Sequence, residues 1–275
     1  MARKEERSMS KIGFIGCGNM GGALAVAVSK AVAGEQIVLC DAMQSKAESL
    51  AKVCKGTVLP TQTLAAECTY LFLGVKPQGF PALFDEIRPI LKKRKDPFVL
   101  ISMAAGLSIA AVQEMAGMDC AIIRIMPNTP VSVGEGMILY AANEAVSKAQ
   151  TDAFCAFLSK AGTLDPIPEE KIDAASVLSG CGPAFVYLFA EALADGAVEC
   201  GLPREKALSY AAQTLLGAAT LLKESGKHPG ELKDAVCSPG GTTIAGVHAL
   251  EAGAFRASAM NAVTAAYEKT VQLKK

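Results

Sequence analysis

The stretch 11–41 limits what this chain can fold into more than any other. Lys11-Ile12-Gly13-Phe14-Ile15 reads as a short apolar strand, and Gly16-Cys17-Gly18-Asn19-Met20-Gly21 follows it at once. Gly22–Val28 reads as a helix with small residues toward a sheet, and Gln36–Cys40 as a second strand ending on Asp41. A lone GxGxxG run says little, because glycine-rich turns are common. Strand, turn, helix, strand and terminal acid in that order describe a dinucleotide-binding βαβ unit. Gly16 permits the tight turn, Gly18 lets the backbone approach a pyrophosphate, and Gly21 lets the helix pack close on the strand. The helix N-terminus offers N–H groups and a positive dipole end to the phosphates. Asp41 lies twenty residues after Gly21, where an acid hydrogen-bonds a ribose hydroxyl. The candidate cofactor residues here are Gly16, Cys17, Gly18, Asn19, Met20, Gly21 and Asp41. The alternative is a tight βα turn that binds nothing.

At 275 residues the chain suits two domains or one large one, and 51% hydrophobic content supports a sizeable core. Its 27 basic residues balance 27 acidic ones without a basic patch, so nucleic acid is not an expected partner. The nine cysteines form no CxxC pair, and with only two histidines the spacing of a metal site is missing. They read as reduced thiols in a cytoplasmic protein. Met1 to Ser8 is charged and lacks the apolar region of a signal peptide, so residues 1–10 read as a disordered extension. The charge-free runs Ala174–Ala190 and Ala207–Leu222 fall short of a membrane span.

The first half alternates strand and helix, which predicts a parallel sheet with helices on both faces. Helices are expected over Gln44–Cys54, Thr61–Glu67, Pro81–Leu91 and Ser147–Ala161, with Ser108 capping another. Strands are expected over Gly56–Pro60, Thr69–Val75, Pro97–Ser102, Cys120–Met126 and Gly136–Ala141. In open α/β sheets, ligands sit at the carboxyl ends of strands. That adds Val75, Lys76 and Pro77, then Ala104, Ala105 and Gly106, then Asn128 to the cofactor candidates. The Asn128 amide either bonds a nicotinamide carboxamide or ribose, or forms an Asx turn between two prolines. Lys76 either approaches a ribose or phosphate, or is a solvated strand-end lysine.

Composition shifts at Pro166-Ile167-Pro168, and strand patterns vanish beyond it. The domains are thus 11–168, a Rossmann-type parallel sheet domain of α/β class, and 169–275, all-α. Glu169–Gly201 has a helical pattern interrupted by Ser179-Gly180-Cys181-Gly182-Pro183. The many apolar positions of the helical part argue for burial against another subunit. Ser238-Pro239-Gly240-Gly241-Thr242-Thr243 is a second glycine-rich loop before a helix. It either presents N–H groups to an anion such as a substrate carboxylate, or is an interhelical turn in which the threonines cap.

Taken together, these stretches resemble the pyrroline-5-carboxylate reductase family from about Lys11 to Leu273. IGFIGCGNMGG at 12–22, Val75-Lys76-Pro77, Met103–Gly106, MPNTP at 126–130, LSGCGPAF at 178–185 and above all LKDAVCSPGGTTIAGVHAL at 232–250 carry the resemblance. It implies reduction of 1-pyrroline-5-carboxylate to L-proline with NADPH or NADH, the last step of proline biosynthesis. It further implies that Ser238, Gly240, Gly241, Thr242 and Thr243 hold the substrate carboxylate, with Thr243 also bonding the ring nitrogen as the catalytic donor. A homodimer through the helical domain, assembled into a decamer, is implied as well.

The chemistry suits the inventory. A protonated cyclic imine needs only a hydride at carbon, held about 3–3.5 Å from the nicotinamide, and no metal or strong base. A β-hydroxyacid dehydrogenase would need a lysine with an asparagine one turn away, and Glu169–Gly201 holds only Lys171 without it. A non-catalytic NAD(P)-binding sensor would have no use for an anion loop bearing hydroxyls. Family members often prefer NADPH, from which Asp41 departs. Its carboxylate accepts bonds from the 2′-hydroxyl of NADH and repels a 2′-phosphate, a discrimination of roughly 1–3 kcal/mol. Lys46 could offset this if Asp41 swings away. Activity with both cofactors and a lean to NADH are therefore expected.

Overall fold

The computed structural model describes residues 10–272. Short apolar runs form the strands β1 (Ile12–Ile15), β2 (Ile37–Cys40), β3 (Thr57–Val58), β4 (Tyr70–Leu73), β5 (Val99–Ser102), β6 (Ala121–Met126), β7 (Gly136–Ala142) and β8 (Gly162–Pro166). Between them lie helices α1 (Asn19–Ser29), α2 (Gln44–Cys54), α3 (Thr61–Glu67), α4 (Phe80–Leu91), α5 (Ile109–Ala116) and α6 (Lys148–Phe157). One sheet holds the strands in the order β3-β2-β1-β4-β5-β6-β7-β8. The first six strands pair in parallel, and the order reverses at β1/β4, where β1 lies between β2 and β4. Such a switch point opens a crevice at the strand ends.

Side-chain alternation puts a core on each face of the sheet. Phe14, Tyr70, Phe72, Ile101 and Ile123 pack with Leu24, Val28, Phe154 and Phe157. The Phe14 and Phe72 rings stack at 4.4 Å. Leu71, Leu73, Leu100 and Ile122 pack instead with Leu64, Phe80, Phe84, Ile87 and Val112. Ser108 caps α5 by accepting from the Ala111 N–H at 3.1 Å, and Ser147 caps α6 in the same way.

Four expectations are corrected. The sheet is not wholly parallel: β7 runs antiparallel to β6. A parallel return needs a crossover of a dozen or more residues, and the connection through Thr129–Val133 is a single 3₁₀ turn with no room for one. Residues 162–166 form β8, parallel to β7, where no strand was expected, and α6 ends at Phe157 rather than Ala161. Thr163-Leu164-Asp165-Pro166 lacks a clear apolar alternation and pairs only because α6 returns it to the sheet edge. The helical pattern after Glu169 is also unbroken. Glu169–Lys171 is a 3₁₀ turn that leads into α7 (Ile172–Ser176), a π-helical turn Val177–Cys181, and α8 (Gly182–Glu199). Pro183 has no N–H to give the Ser179 carbonyl, and its ring would crowd that carbonyl in a regular α-helix. The wider π turn removes the conflict.

Contacts divide the described residues into a unit ending at Gly180 and a second unit, Cys181–Gln272. Residues 169–180 are tied to the sheet by Arg124. Its guanidinium is 3% exposed and donates to Glu169 at 3.2 Å and Asp173 at 3.0 Å. Glu169 also accepts the Ile109 N–H at 2.7 Å, satisfying the start of α5.

The second unit is helical throughout: α8, α9 (Arg204–Ser225), α10 (Pro229–Ala235), α11 (Thr242–Ala252) and α12 (Phe255–Gln272). Ala194, Ala207 and Ala211 join α8 to α9, and the Phe189 and Phe255 rings meet at 5.4 Å. Neither α11 nor α12 buries any residue within the chain. Leu188, Leu216 and Met260 are 68%, 58% and 71% exposed. Water-facing apolar surface on this scale marks an interaction face. The helical run Glu169–Glu199, 31 residues, is long and apolar enough to cross a bilayer by length and composition alone.

Candidate active site

β1 delivers the glycine-rich turn to the crevice. Gly16 adopts φ +103°, which L side chains rarely tolerate. A methyl at Gly21 would sit 2.1 Å from the Gly16 carbonyl oxygen, so α1 approaches the turn as only glycine allows. A methyl at Gly18 would meet nothing within 4 Å. Gly18 is also the N-cap of α1, and no side chain caps that end, leaving first-turn N–H groups for a ligand. These features fit a dinucleotide pyrophosphate.

Strand ends bring the other expected loops to the same place. A cleft of about 430 Å³ is lined by Gly18–Gly21, Gly74–Pro77 and Met103–Ala105. Asn19, Met20, Gly21, Val75, Lys76, Pro77, Ala104 and Ala105 thus converge, although they come from three separate loops. Gly74 lines the cleft too and was not among the site candidates, and Met103 joins it from the loop that carries Ala104 and Ala105. The signal for Gly74 was its place at the end of β4: a methyl at Gly16 would lie 2.6 Å from the Gly74 carbonyl carbon. Gly106 takes φ +80° in the turn beyond Ala105 and does not line this cleft.

Asp41 lies in a neighbouring hollow of about 320 Å³ with Gln44, Val58, Leu59 and Pro60. Its Oδ2 accepts the Cys17 N–H at 2.7 Å, and its Oδ1 accepts the Met43 N–H at 2.9 Å. The acid therefore binds the glycine-rich turn to the end of β2. Cys17 turns its thiol inward to the Cys40 carbonyl at 3.4 Å. Burial, reinforced by the Asp41 carboxylate, pushes that thiol up to about 12, so it stays neutral. A longer groove of about 660 Å³ runs from Cys17, Gly18 and Asn19 past Ser45, Lys46 and Ser49.

Asn128 stands elsewhere. It is 9% exposed, its Oδ1 accepts the Met137 N–H at 2.9 Å, and its Nδ2 donates to the Ser179 carbonyl at 2.9 Å. Both ends of the amide are engaged in holding the chain, so the structure does not present it to the cleft.

In the helical unit, the Gly241 N–H donates to the Ser238 carbonyl at 3.0 Å, and Gly240 takes φ +66°. Gly241 is the N-cap of α11, without a side-chain cap. The threonines do not cap, as they were free to do on sequence grounds. Thr242 and Thr243 are the first helical residues, both exposed, and their hydroxyls and N–H groups flank the same uncapped end.

Two family models match the chain. Residues 169–273 match pyrroline-5-carboxylate reductase dimerisation, and residues 11–106 match NADP oxidoreductase, coenzyme F420-dependent. Pyrroline-5-carboxylate reductase of Arabidopsis thaliana is 40% identical over 96% of this chain and 95% of its own length. The chain belongs to the pyrroline-5-carboxylate reductase family. The Synechocystis member is 41% identical over 96% of this chain and 98% of its own length. Among solved structures, the Coxiella burnetii reductase superposes with a TM-score of 0.89 at 32% identity, covering 97% of this chain and 99% of that one. The Plasmodium falciparum reductase, solved with NADP bound, gives 0.83 at 34% identity over 97% and 99%. An NAD(P)-binding Rossmann-type domain followed by a helical, oligomer-forming region is therefore the architecture of this reductase chain.

Proposed function

We infer that this chain is an NAD(P)H-dependent oxidoreductase that reduces 1-pyrroline-5-carboxylate to L-proline, the last step of proline biosynthesis. The observation that carries the inference is the cleft uniting the glycine-rich turn with Val75–Pro77 and Met103–Ala105, in a chain matched by this family along almost its whole length. Bound NAD(P)H supplies the hydride. The first-turn N–H groups of α1 hold its pyrophosphate, Asp41 faces its adenosine ribose, and Val75, Lys76, Pro77, Ala104 and Ala105 bound its nicotinamide half, with Gly106 only shaping the turn beyond them. Asn128 contributes position rather than a contact.

The uncapped start of α11 takes the substrate carboxylate on its N–H groups, with Ser238, Gly240, Gly241 and Thr242 shaping the loop. Thr243 hydrogen-bonds the ring nitrogen and orients the imine carbon. Oriented donors of this kind act by fixing geometry and stabilising charge as it redistributes. The β-hydroxyacid dehydrogenase and sensor readings give way to this one, which accounts for both glycine-rich loops.

The exposed apolar faces of α8, α9 and α12 pack against a second copy, making a homodimer through residues 169–275, and dimers associate into a decamer. That packing also covers the apolar run Glu169–Glu199 in place of a membrane, and the reading places the enzyme in the cytoplasm. The test is direct: the purified chain consumes NADH or NADPH when given 1-pyrroline-5-carboxylate and yields L-proline. Absence of consumption with either cofactor would overturn the inference.

A further inference from the structure

We propose that Asp41, locked in place by two backbone N–H groups, makes this reductase bind NADH in preference to NADPH. The proposal rests on the assigned dinucleotide site and departs from the NADP-bound Plasmodium relative. It turns on whether the carboxylate can leave the ribose position.

The carboxylate is held at both oxygens, by Cys17 at 2.7 Å and by Met43 at 2.9 Å. Hydrogen bonds to an ionised acceptor are about twice as strong as neutral ones. Rotation of the side chain would break both and leave the part-buried Cys17 N–H without an acceptor, at the head of the phosphate-binding turn. Asp41 is therefore a fixed negative charge. Each of its oxygens uses one lone pair on the backbone and keeps another. Those remaining sites suit the two hydroxyls of an adenosine ribose, which donate protons. A 2′-phosphate donates none at neutral pH and brings nearly two further negative charges.

The surroundings offer that phosphate no compensation. The hollow lined by Asp41 is completed by Cys40, Gln44, Val58, Leu59 and Pro60, with no basic side chain among them. Gln44 is engaged by Glu48 at 2.7 Å. Lys46 lines the other groove, with Ser45 and Ser49. A cation in that groove leaves a phosphate placed against the anchored carboxylate without a partner in its own hollow.

The experiment is calorimetric titration of the wild-type oligomer with NADH and NADPH separately, followed by Asp41→Ser and Asp41→Asn. Wild type is expected to bind NADH at least ten-fold more tightly. Asp41→Ser should weaken NADH and tighten NADPH, shifting the ratio at least ten-fold toward NADPH. Asp41→Asn keeps the shape and removes the charge, so it should shift the ratio the same way if Asp41→Ser is poorly folded. Equal or tighter NADPH binding by wild type, or an unchanged ratio in a folded variant, would overturn the proposal. Binding of neither cofactor would overturn it together with the dinucleotide site. Binding with the expected ratio but no turnover of 1-pyrroline-5-carboxylate would leave cofactor selection standing and remove the assigned reaction.

Discussion

Asn128 supplies Ser179 with the hydrogen bond that Pro183 cannot give. In an α-helix, the Ser179 carbonyl would accept from the residue four places on, which is Pro183 and has no N–H. The Asn128 amide donates to it instead, at 2.9 Å, and takes the Met137 N–H on its other side. One side chain thus secures the turn after β6, the start of β7 and the π turn before α8.

Asn128→Asp should destabilise the chain by about 1–3 kcal/mol, because it sets a carboxylate oxygen against the Ser179 carbonyl in a buried site. Urea unfolding at pH 8 measures this. Dinucleotide affinity of the folded variant should change by less than three-fold. A large loss of affinity with unaltered stability would return Asn128 to the cofactor-contacting residues.

Thr243→Ala should lower kcat/KM by on the order of 10²-fold or more while leaving NADH affinity unchanged, since the donor acts on substrate. Gly241→Val should impair the same step. A side chain there starts 2.6 Å from the Ser238 hydroxyl and stands over the open end of α11. Steady-state kinetics of both variants decide, and near-normal values would move the substrate site elsewhere.

Leu188→Glu and Met260→Glu place a carboxylate on surface that the isolated chain leaves 68% and 71% exposed. In the dimer the charge would be buried without a partner, at a cost of several kcal/mol. Light scattering should therefore show dissociation, while circular dichroism stays helical. A wild-type chain that is a stable, active monomer would remove the interface altogether.

Burial pushes the thiols of Cys17 and Cys68 up to about 12 and that of Cys120 to about 11, against an ordinary 9.0. Such groups keep their protons in the native state longer than in the unfolded chain. Native stability should be whole below about pH 9 and decline as pH rises toward 11 to 12. Urea midpoints at pH 8 and pH 10 should differ accordingly. Replacing the three cysteines with alanine should flatten the decline relative to wild type; an equal slope in both proteins would be the contrary result.

The fold class, the glycine-rich turn and the boundaries of α2 and α3 were legible in the sequence because each rests on local causes. Apolar period, caps and the backbone freedom of Gly16 act within a few residues. Membership of the family was legible for the same reason, in contiguous motifs at both ends of the chain. The tertiary structure alone decided the remainder. The antiparallel step to β7 and the pairing of β8 depend on chain length between elements and on a neighbouring strand, which no local pattern encodes. Asn128 looked like a cofactor ligand because it follows a strand; its real partners, Met137 and Ser179, are set by how the chain returns to it. The same holds for Asp41. Its position at the end of β2 was visible in the residues, but its anchoring comes from the N–H of Cys17, which only the parallel pairing of β1 with β2 brings within reach.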